Sequence, residues 1–379
     1  MDQADLRRLQ KCMQRAERGE ELALAFLGGS ITQGSLASAP EKAYAYLVYN
    51  WWRETFPKAE FHYVNGGIGG TTSHYGVSRA VTDVLMYQPD VVVVDFSVND
   101  DADLFFQETY EGVIRRLLSW DSRPAVLILN NVFYETGKNA QEYHNAVGDW
   151  YGVPHVSIRD TVWQKVQAGI YTVRDLTPDG LHPNDLGHQL VAGQVTAFLQ
   201  QVRESLREEV QTAGTVQGAD GKLTDSLDHN GLQRPLTANA YEAAKRLTIR
   251  EISPVLSGFR ADAREKTGYL DHFKNGWIGK KPGDSITFEI EASCIAVQYR
   301  KAVQSPALRA QLTLDGDEEH AVLLDGNFEE DWGDCLYLEP VLHHGERKMH
   351  TVQICILPCE NETEGELRTP FYLMALIVA

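Results

Sequence analysis

What this chain is short of narrows its class before any motif is read. Cysteine is scarce: Cys12, Cys294, Cys335, Cys355 and Cys359 are an odd, scattered set in 379 residues. Only Cys355 and Cys359 lie close together, and their spacing fits neither a zinc ligand pair nor a redox Cys-x-x-Cys. Reduced thiols in a cytoplasmic compartment are the simplest account. Positive charge is short as well. Lys and Arg number 35 against 53 Asp and Glu, a formal net charge of −18, which argues against nucleic acid or an anionic membrane as a partner. Such a balance suits a protein that handles neutral small molecules or sugars. No stretch approaches the ~18 uninterrupted apolar residues of a membrane span. The N-terminus, Met1 to Glu21, lacks the apolar h-region of a secretory signal and reads as an amphipathic helix through Leu6, Leu9, Met13 and Ala16. Internal repeats and low-complexity tracts are absent too.

What is present is ordinary globular material, 43% hydrophobic and long enough for two domains. The first part alternates strand and helix patterns. Strands read at Leu22 to Leu27, Phe61 to Val64, Val91 to Phe96, Ala125 to Leu129 and His155 to Ile158. Helical spacing marks Tyr44 to Phe56, Tyr75 to Tyr87, Tyr110 to Trp120, Asn139 to Tyr151 and a long closing stretch, Asp185 to Leu206. Val91 to Phe96 is a continuous β-branched run of the kind buried on both faces of a parallel sheet. The alternation predicts an α/β domain over 1–206, a parallel sheet with helices on both faces. The chain then changes character. Residues 207–248 are polar and largely aperiodic, a linker or irregular wrap in which Tyr241 to Leu247 reads as one or two helical turns. From Ile249 to Ala379, short alternating runs punctuated by Pro282-Gly283, Asp315-Gly316 and Asp325-Gly326 predict a smaller all-β sandwich.

Candidate chemistry clusters at the ends of the predicted strands. Leu24 to Leu27 run into Gly28-Gly29-Ser30, so Ser30 is the one reactive group on the first turn. By itself Ser30 reads equally well as a helix cap. The second strand ends at Asn65-Gly66-Gly67-Ile68-Gly69-Gly70 and the third at Ser97-Val98-Asn99-Asp100. Asp179-Gly180-Leu181-His182-Pro183 precedes the closing helix. A nucleophilic serine needs a base within hydrogen-bond reach and donors aimed at the developing oxyanion. His182 can be the base and Asp179, three residues earlier, can fix its tautomer. The Asn99 amide and the N–H groups of Ser30 and Gly70 can be the donors. Competing motifs fail. Ser30 lacks the second glycine of a Gly-x-Ser-x-Gly elbow. No Gly-x-Gly-x-x-Gly or phosphate-binding Gly-Lys-Ser/Thr loop exists. Asp179, His182 and His188 fit no standard zinc spacing, so neither a metal nor a cofactor is expected.

Taken together, Gly28 to Thr32, Asn65 to Gly70, Ser97 to Asp100 and Asp179 to Pro183 resemble the four ordered blocks of the SGNH, or GDSL-like, hydrolases. The resemblance covers 1–206 and implies a flavodoxin-like three-layer fold. It makes Ser30 the nucleophile, Gly70 and Asn99 oxyanion donors with the Ser30 N–H, and His182 the base with Asp179 behind it. The choice of Gly70 over Gly69 is a count along the block. Two positions depart from the pattern: Gly29 stands where the family carries Asp, and Ser97 where it carries Gly.

An SGNH domain followed by a sandwich is similar to bacterial acetyl-mannan esterases, whose second domain is like a family 35 carbohydrate-binding module. That likeness implies removal of acetyl groups from oligosaccharides, mannan-derived ones first. Trp332, in the polar stretch Asp325 to Asp334, and Trp277, between Asn275-Gly276 and Gly279, are the candidate sugar-stacking residues. A Trp332 folded under its own loop is the competing reading. An esterase or lipase on another acyl ester, acyl transfer to a sugar, and a non-catalytic glycan-binding protein stay open as alternatives, as does a homo-oligomer.

Overall fold

The computed structural model describes residues 5–212, 231–267, 271–359 and 367–379, and these divide into two compact units, 1–242 and 243–379. In the first unit α1 (Arg7–Glu17) leads into β1 (Glu21–Gly28), a short α2 (Ser30–Gln33), α3 (Tyr44–Thr55) and β2 (Glu60–Gly67). There follow α4 (Ser73–Asp83), β3 (Val91–Asp95), α5 (Leu104–Leu118), β4 (Ala125–Asn130), α6 (Gln141–Tyr151) and β5 (His155–Ser157). Two short helices, α7 (Val162–Gln167) and α8 (Val173–Leu176), precede the long α9 (Asp185–Thr212). The five strands form one parallel sheet in the order β2-β1-β3-β4-β5. The central strands β3 and β4 are buried at every residue. That is the consequence of covering both faces of a Val/Leu/Ile-rich sheet with helices. Because β1 lies between β2 and β3, the chain leaves it in opposite directions, and the crevice outside its carboxyl end is where such sheets bind ligands.

The core beneath that crevice combines Leu22, Leu24 and Phe26 of β1 with Tyr44, Val48 and Trp52 of α3 and Val191, Val195 and Leu199 of α9. Leu9, Met13 and Ala16 of the expected N-terminal helix are buried in the same cluster. At Asp83 α4 ends, earlier than the expected Tyr87; Leu85–Tyr87 is a separate 3₁₀ turn that stops at Gln88, whose φ of 49° no helix continues.

Of the stretch read as a linker, 213–230 lie outside the described residues, whereas 231–242 pack across α5 in the first unit. Buried Glu111 accepts the backbone N–H groups of Leu236 at 2.6 Å and Thr237 at 2.8 Å, and Glu108 accepts that of Ala240 at 2.8 Å. Arg115 Nε donates to Glu242 at 2.7 Å. A segment without secondary structure has to satisfy its backbone donors somewhere, and here helical carboxylates do it. The one or two helical turns expected over Tyr241 to Leu247 are not formed. Instead β6 (Lys245–Leu247) opens the second unit by pairing with its last strand.

That unit continues with β7 (Val255–Ser257), β8 (Arg260–Ala261), β9 (Trp277–Gly279), β10 (Ser285–Ala292), β11 (Ile295–Lys301), β12 (Arg309–Leu314) and β13 (Asp317–Asp325). It closes with β14 (Cys335–Leu342), β15 (Lys348–Ile356) and β16 (Phe371–Val378). One sheet has the order β13-β12-β15-β10-β7 and the other β14-β11-β16-β9-β8, both antiparallel. On β10, Ile286, Phe288, Ile290 and Ala292 are buried while the residues between them are not, the period-2 pattern of a strand with one face on a core. Asp315 and Gly316 both have positive φ, 56° and 76°, as a two-residue hairpin turn requires.

Candidate active site

The site is assembled from strand ends. Leaving β1, Gly28 and Gly29 put no side chain between the strand and α2, and at Gly28 the neighbouring backbone requires that. A Cβ on Gly28 would lie 2.5 Å from the Asp95 carbonyl oxygen, and one on Gly29 only 2.2 Å from Asn99 Oδ1. Gly29, where the related pattern carries Asp, thus lies directly against the Asn99 side chain. Ser30 follows as the first residue of α2 and is only 7% exposed.

The Ser30 Oγ lies 2.8 Å from His182 Nε2, and His182 Nδ1 lies 2.7 Å from Asp179 Oδ2. The other Asp179 oxygen accepts the backbone N–H groups of Leu181 at 2.9 Å and His182 at 2.8 Å and the Thr177 hydroxyl at 2.9 Å. Partial burial opposes ionisation of Asp179. The bonds from the His182 ring, from these two N–H groups and from Thr177 outweigh it and hold the carboxyl down at about 2. Asp179 is thus a carboxylate throughout the neutral range, and the proton between the two side chains sits on His182 Nδ1. The Nε2 lone pair then faces the Ser30 hydroxyl, the tautomer a base needs. His188 does not join this group. Its Nδ1 accepts the Tyr44 N–H at 3.2 Å and its Nε2 donates to the Ser35 carbonyl at 3.1 Å, so both ring nitrogens are committed to holding α9 against the site loop.

Donors stand on the other side of Ser30. The first turn of a helix leaves its N–H groups unsatisfied, and Ser30 is in that position. Gly70 lies in the turn after β2 with φ of 66°, and neither its N–H nor the Asn99 amide has a hydrogen-bond partner among the described residues. Neighbouring Gly69 is different: its N–H is taken by Gln33 Oε1 at 2.6 Å. Gln33 of α2 thus engages the Gly69 N–H and leaves that of Gly70 open among the described residues. Arg79, buried on α4, ties the same loops together, its Nη2 donating to the Gly28 carbonyl at 2.9 Å and its Nη1 to that of Gly66. Neither Gln33 nor Arg79 carried a sequence signal, since their partners lie on other elements.

Beneath the serine turn, Asp95 is fully buried at the end of β3. Its Oδ2 accepts from Asn131 Nδ2 at 2.8 Å and Thr32 Oγ1 at 3.2 Å, and Thr32 Oγ1 is 2.7 Å from the Tyr44 hydroxyl. Burial pushes the Asp95 carboxyl up to about 7 against the bonds from Asn131 and Thr32, and the nearby Asp100 charge adds to the rise. The unfolded-state value is about 3.9. The folded protein therefore holds the extra proton between roughly pH 4 and 7, and stability falls as the pH rises through that window. Asp95→Asn, neutral at every pH, should flatten this dependence. In urea unfolding followed by Trp fluorescence at pH 4.5 and 7.5, the wild type is expected to lose a few kcal/mol relative to the variant, at about 1.4 kcal/mol for each pH unit crossed within the window. Parallel curves for the two proteins would refute it.

The two tryptophans expected to bind sugar part company in the second unit. Trp332, in the loop between β13 and β14, is 54% exposed, stands edge-on to Phe328 at 5.1 Å and donates its indole N–H to Glu330. Trp277 is 1% exposed on β9 and packs edge-on to Phe288 of β10 at 5.2 Å. The expectation that Trp277 meets substrate is corrected: its flanking glycines fit it into the sandwich core, and no face of its ring is left for a ligand.

Comparison with known proteins gives the family. Residues 26–190 match the model of the GDSL-like Lipase/Acylhydrolase family. Among solved structures, a two-domain esterase active on acetylated mannans, co-crystallised with mannopentaose, is 46% identical. The match covers 99% of this chain and 95% of that one, with a TM-score of 0.89. A second structure of a two-domain esterase active on acetylated mannans matches with the same values. No curated protein sequence matches. With its serine turn, glycine block, Asn99 loop and Asp179-to-His182 loop all inside the matched span or against it, the chain belongs to the GDSL-like lipase/acylhydrolase family and is a carboxylic ester hydrolase of the two-domain kind.

Proposed function

We propose that the protein removes acetyl groups from acetylated oligosaccharides, mannan-derived ones in the first place, through an acetyl-enzyme on Ser30. The observation that carries the chemistry is the unbroken chain from Ser30 Oγ to His182 Nε2 and from His182 Nδ1 to Asp179, at 2.8 and 2.7 Å. The choice of substrate is supported by whole-length likeness to an esterase active on acetylated mannans. Ser30 Oγ attacks the acetyl carbonyl carbon as His182 Nε2 takes its proton, and Asp179 stabilises the imidazolium. The carbonyl oxygen, now negative, accepts from the N–H groups of Ser30 and Gly70 and from Asn99 Nδ2. Collapse expels the sugar hydroxyl with the proton from His182. Water, deprotonated by the same imidazole, then releases acetate and restores Ser30. Each oxyanion donor contributes about 3 kcal/mol to the barrier reduction.

The sandwich serves as a carbohydrate-binding module, and Trp332 is its gripping surface. An aromatic face that is half exposed and braced by Phe328 offers a rigid plane for the apolar C–H face of a sugar. Free cysteines, three of them buried, support a reducing, cytoplasmic setting. The substrate class is tested by mass spectrometry of acetate released from acetylated mannan, xylan and pectin fragments, with release from mannan fragments expected to dominate. Trp332→Ala should lower kcat/KM on acetylated manno-oligosaccharide about tenfold, the loss of one stacking contact of about 1 kcal/mol or slightly more, and leave p-nitrophenyl acetate turnover unchanged. Equal losses on both substrates would remove Trp332 from the sugar site.

A further inference from the structure

Asp100 follows Asn99 directly, yet the hydrolytic chemistry above makes no use of it. Its carboxylate is fully buried, as is the imidazole it faces. One oxygen accepts the backbone N–H of Ser73 at 2.8 Å and the other lies 3.0 Å from His144 Nε2. Ser73 is the first residue of α4, and the side chain of Thr72, which precedes the helix, makes no capping bond. A carboxylate borrowed from the β3 loop therefore does the capping, where helix N–H groups are unsatisfied and a negative charge is favoured. His144 Nδ1 makes no hydrogen bond among the described residues, so the ring proton sits on Nε2 and is donated to Asp100. The Tyr110 ring lies flat against the imidazole, 3.6 Å away at an interplanar angle of 4°, and fixes its plane.

The two ends of this arrangement are the two arms of the oxyanion site. Gly70 lies three residues before Ser73, on a turn tightened by the Thr71 hydroxyl donating to the Ile68 carbonyl at 2.6 Å. Asn99 is bonded to Asp100 itself, and both residues send their N–H groups to the Phe96 carbonyl at 2.9 Å. We propose that Asp100 is a positioning residue that sets the distance between the Gly70 and Asn99 donors, with His144 and Tyr110 fixing the carboxylate. The proposal rests on the reading of Gly70 and Asn99 as oxyanion donors. Displacing either donor by an ångström is enough to lose a rate factor of about a hundred.

The test is a double-mutant cycle on p-nitrophenyl acetate with Asn99→Ala, Asp100→Ala and the pair. Asn99→Ala is expected to lower kcat at least about a hundredfold. Asp100→Ala should lower kcat about ten- to a hundredfold with KM little changed. The double variant should fall well short of the product of the two losses, because the second change acts through the donor already removed. A carboxylate with only a structural role would lower the melting temperature and leave kcat of the folded protein intact. Should Asp100→Ala not fold, Ser73→Pro takes its place in the cycle, since proline is favoured at the first helical position and removes the N–H that Asp100 accepts. Full multiplication of the losses, or an Asp100 or Ser73 variant within threefold of wild-type kcat, overturns the proposal alone. An Asn99→Ala variant with normal kcat overturns the oxyanion reading beneath it, and the proposal with it.

Discussion

Ser30→Ala is expected to lower p-nitrophenyl acetate turnover by roughly 10⁵-fold or more, and His182→Ala by a similar factor, while the double variant is no slower than either alone. Residues that act as one unit lose their function together, so the second substitution removes nothing that remains. What survives is the modest acceleration that the donors on Ser30, Gly70 and Asn99 supply without a nucleophile. Burial makes the prediction specific. Ser30 is 7% exposed, so alanine leaves only a small space at the mouth of the site, and the melting temperature should hold. A second readout separates nucleophile from bystander. An activated organophosphonate should add its mass once to the wild type and not to Ser30→Ala. Turnover within tenfold of wild type in either single variant would exclude the triad, and with it the acetyl-enzyme.

Much of this site was legible in the sequence because its determinants are local. Gly28-Gly29-Ser30 follows an apolar run directly, and Asp179 is three residues from His182, a spacing at which one loop can bring carboxylate and ring together. The alternation of strands and helices likewise placed the strand ends on one edge of a parallel sheet. What sequence order did not convey were the contacts made across elements. The Gly69 N–H is engaged by Gln33, 36 positions away, while that of Gly70 is not. The closeness of Gly29 to the Asn99 side chain, which arrives from the loop after β3, is another such contact.

The second unit shows the same division. Trp277 and Trp332 are both set among glycines and polar residues, and composition alone assigned them the same role. The difference is that β9 pairs with both β16 and β8, which turns Trp277 into the core, whereas Trp332 belongs to a loop. Lys245–Leu247 reads locally as helix, yet it pairs with Leu376, Ile377 and Val378 of β16, and the ladder overrides a weak propensity. The polar segment after α9 gave no hint that Glu111, inside a helix, would accept the N–H groups of residues more than 120 positions later.

Asp179→Asn is expected to lower kcat by about 10⁴-fold with the fold intact, the second-largest loss the site allows. The two carboxylate oxygens of Asp179 have separate tasks. Oδ1 accepts the N–H groups of Leu181 and His182 and the Thr177 hydroxyl, which holds the loop; Oδ2 faces His182 Nδ1. Asparagine keeps an oxygen for the first task but presents an NH₂ group to the ring. A donor there forces the imidazole proton onto Nε2, which then points an N–H at Ser30 Oγ and can no longer take its proton. Because the loop bonds survive, the melting temperature should stay close to that of wild type, whereas Asp179→Ala should lower it by removing the acceptor of three donors. The tautomer itself can be read by ¹⁵N NMR of the His182 ring: Nδ1 protonated in the wild type, Nε2 protonated in Asp179→Asn. Loss of activity without that exchange would mean that Asp179 works through its charge on the imidazolium alone. Normal activity in Asp179→Asn would leave Ser30 and His182 a dyad.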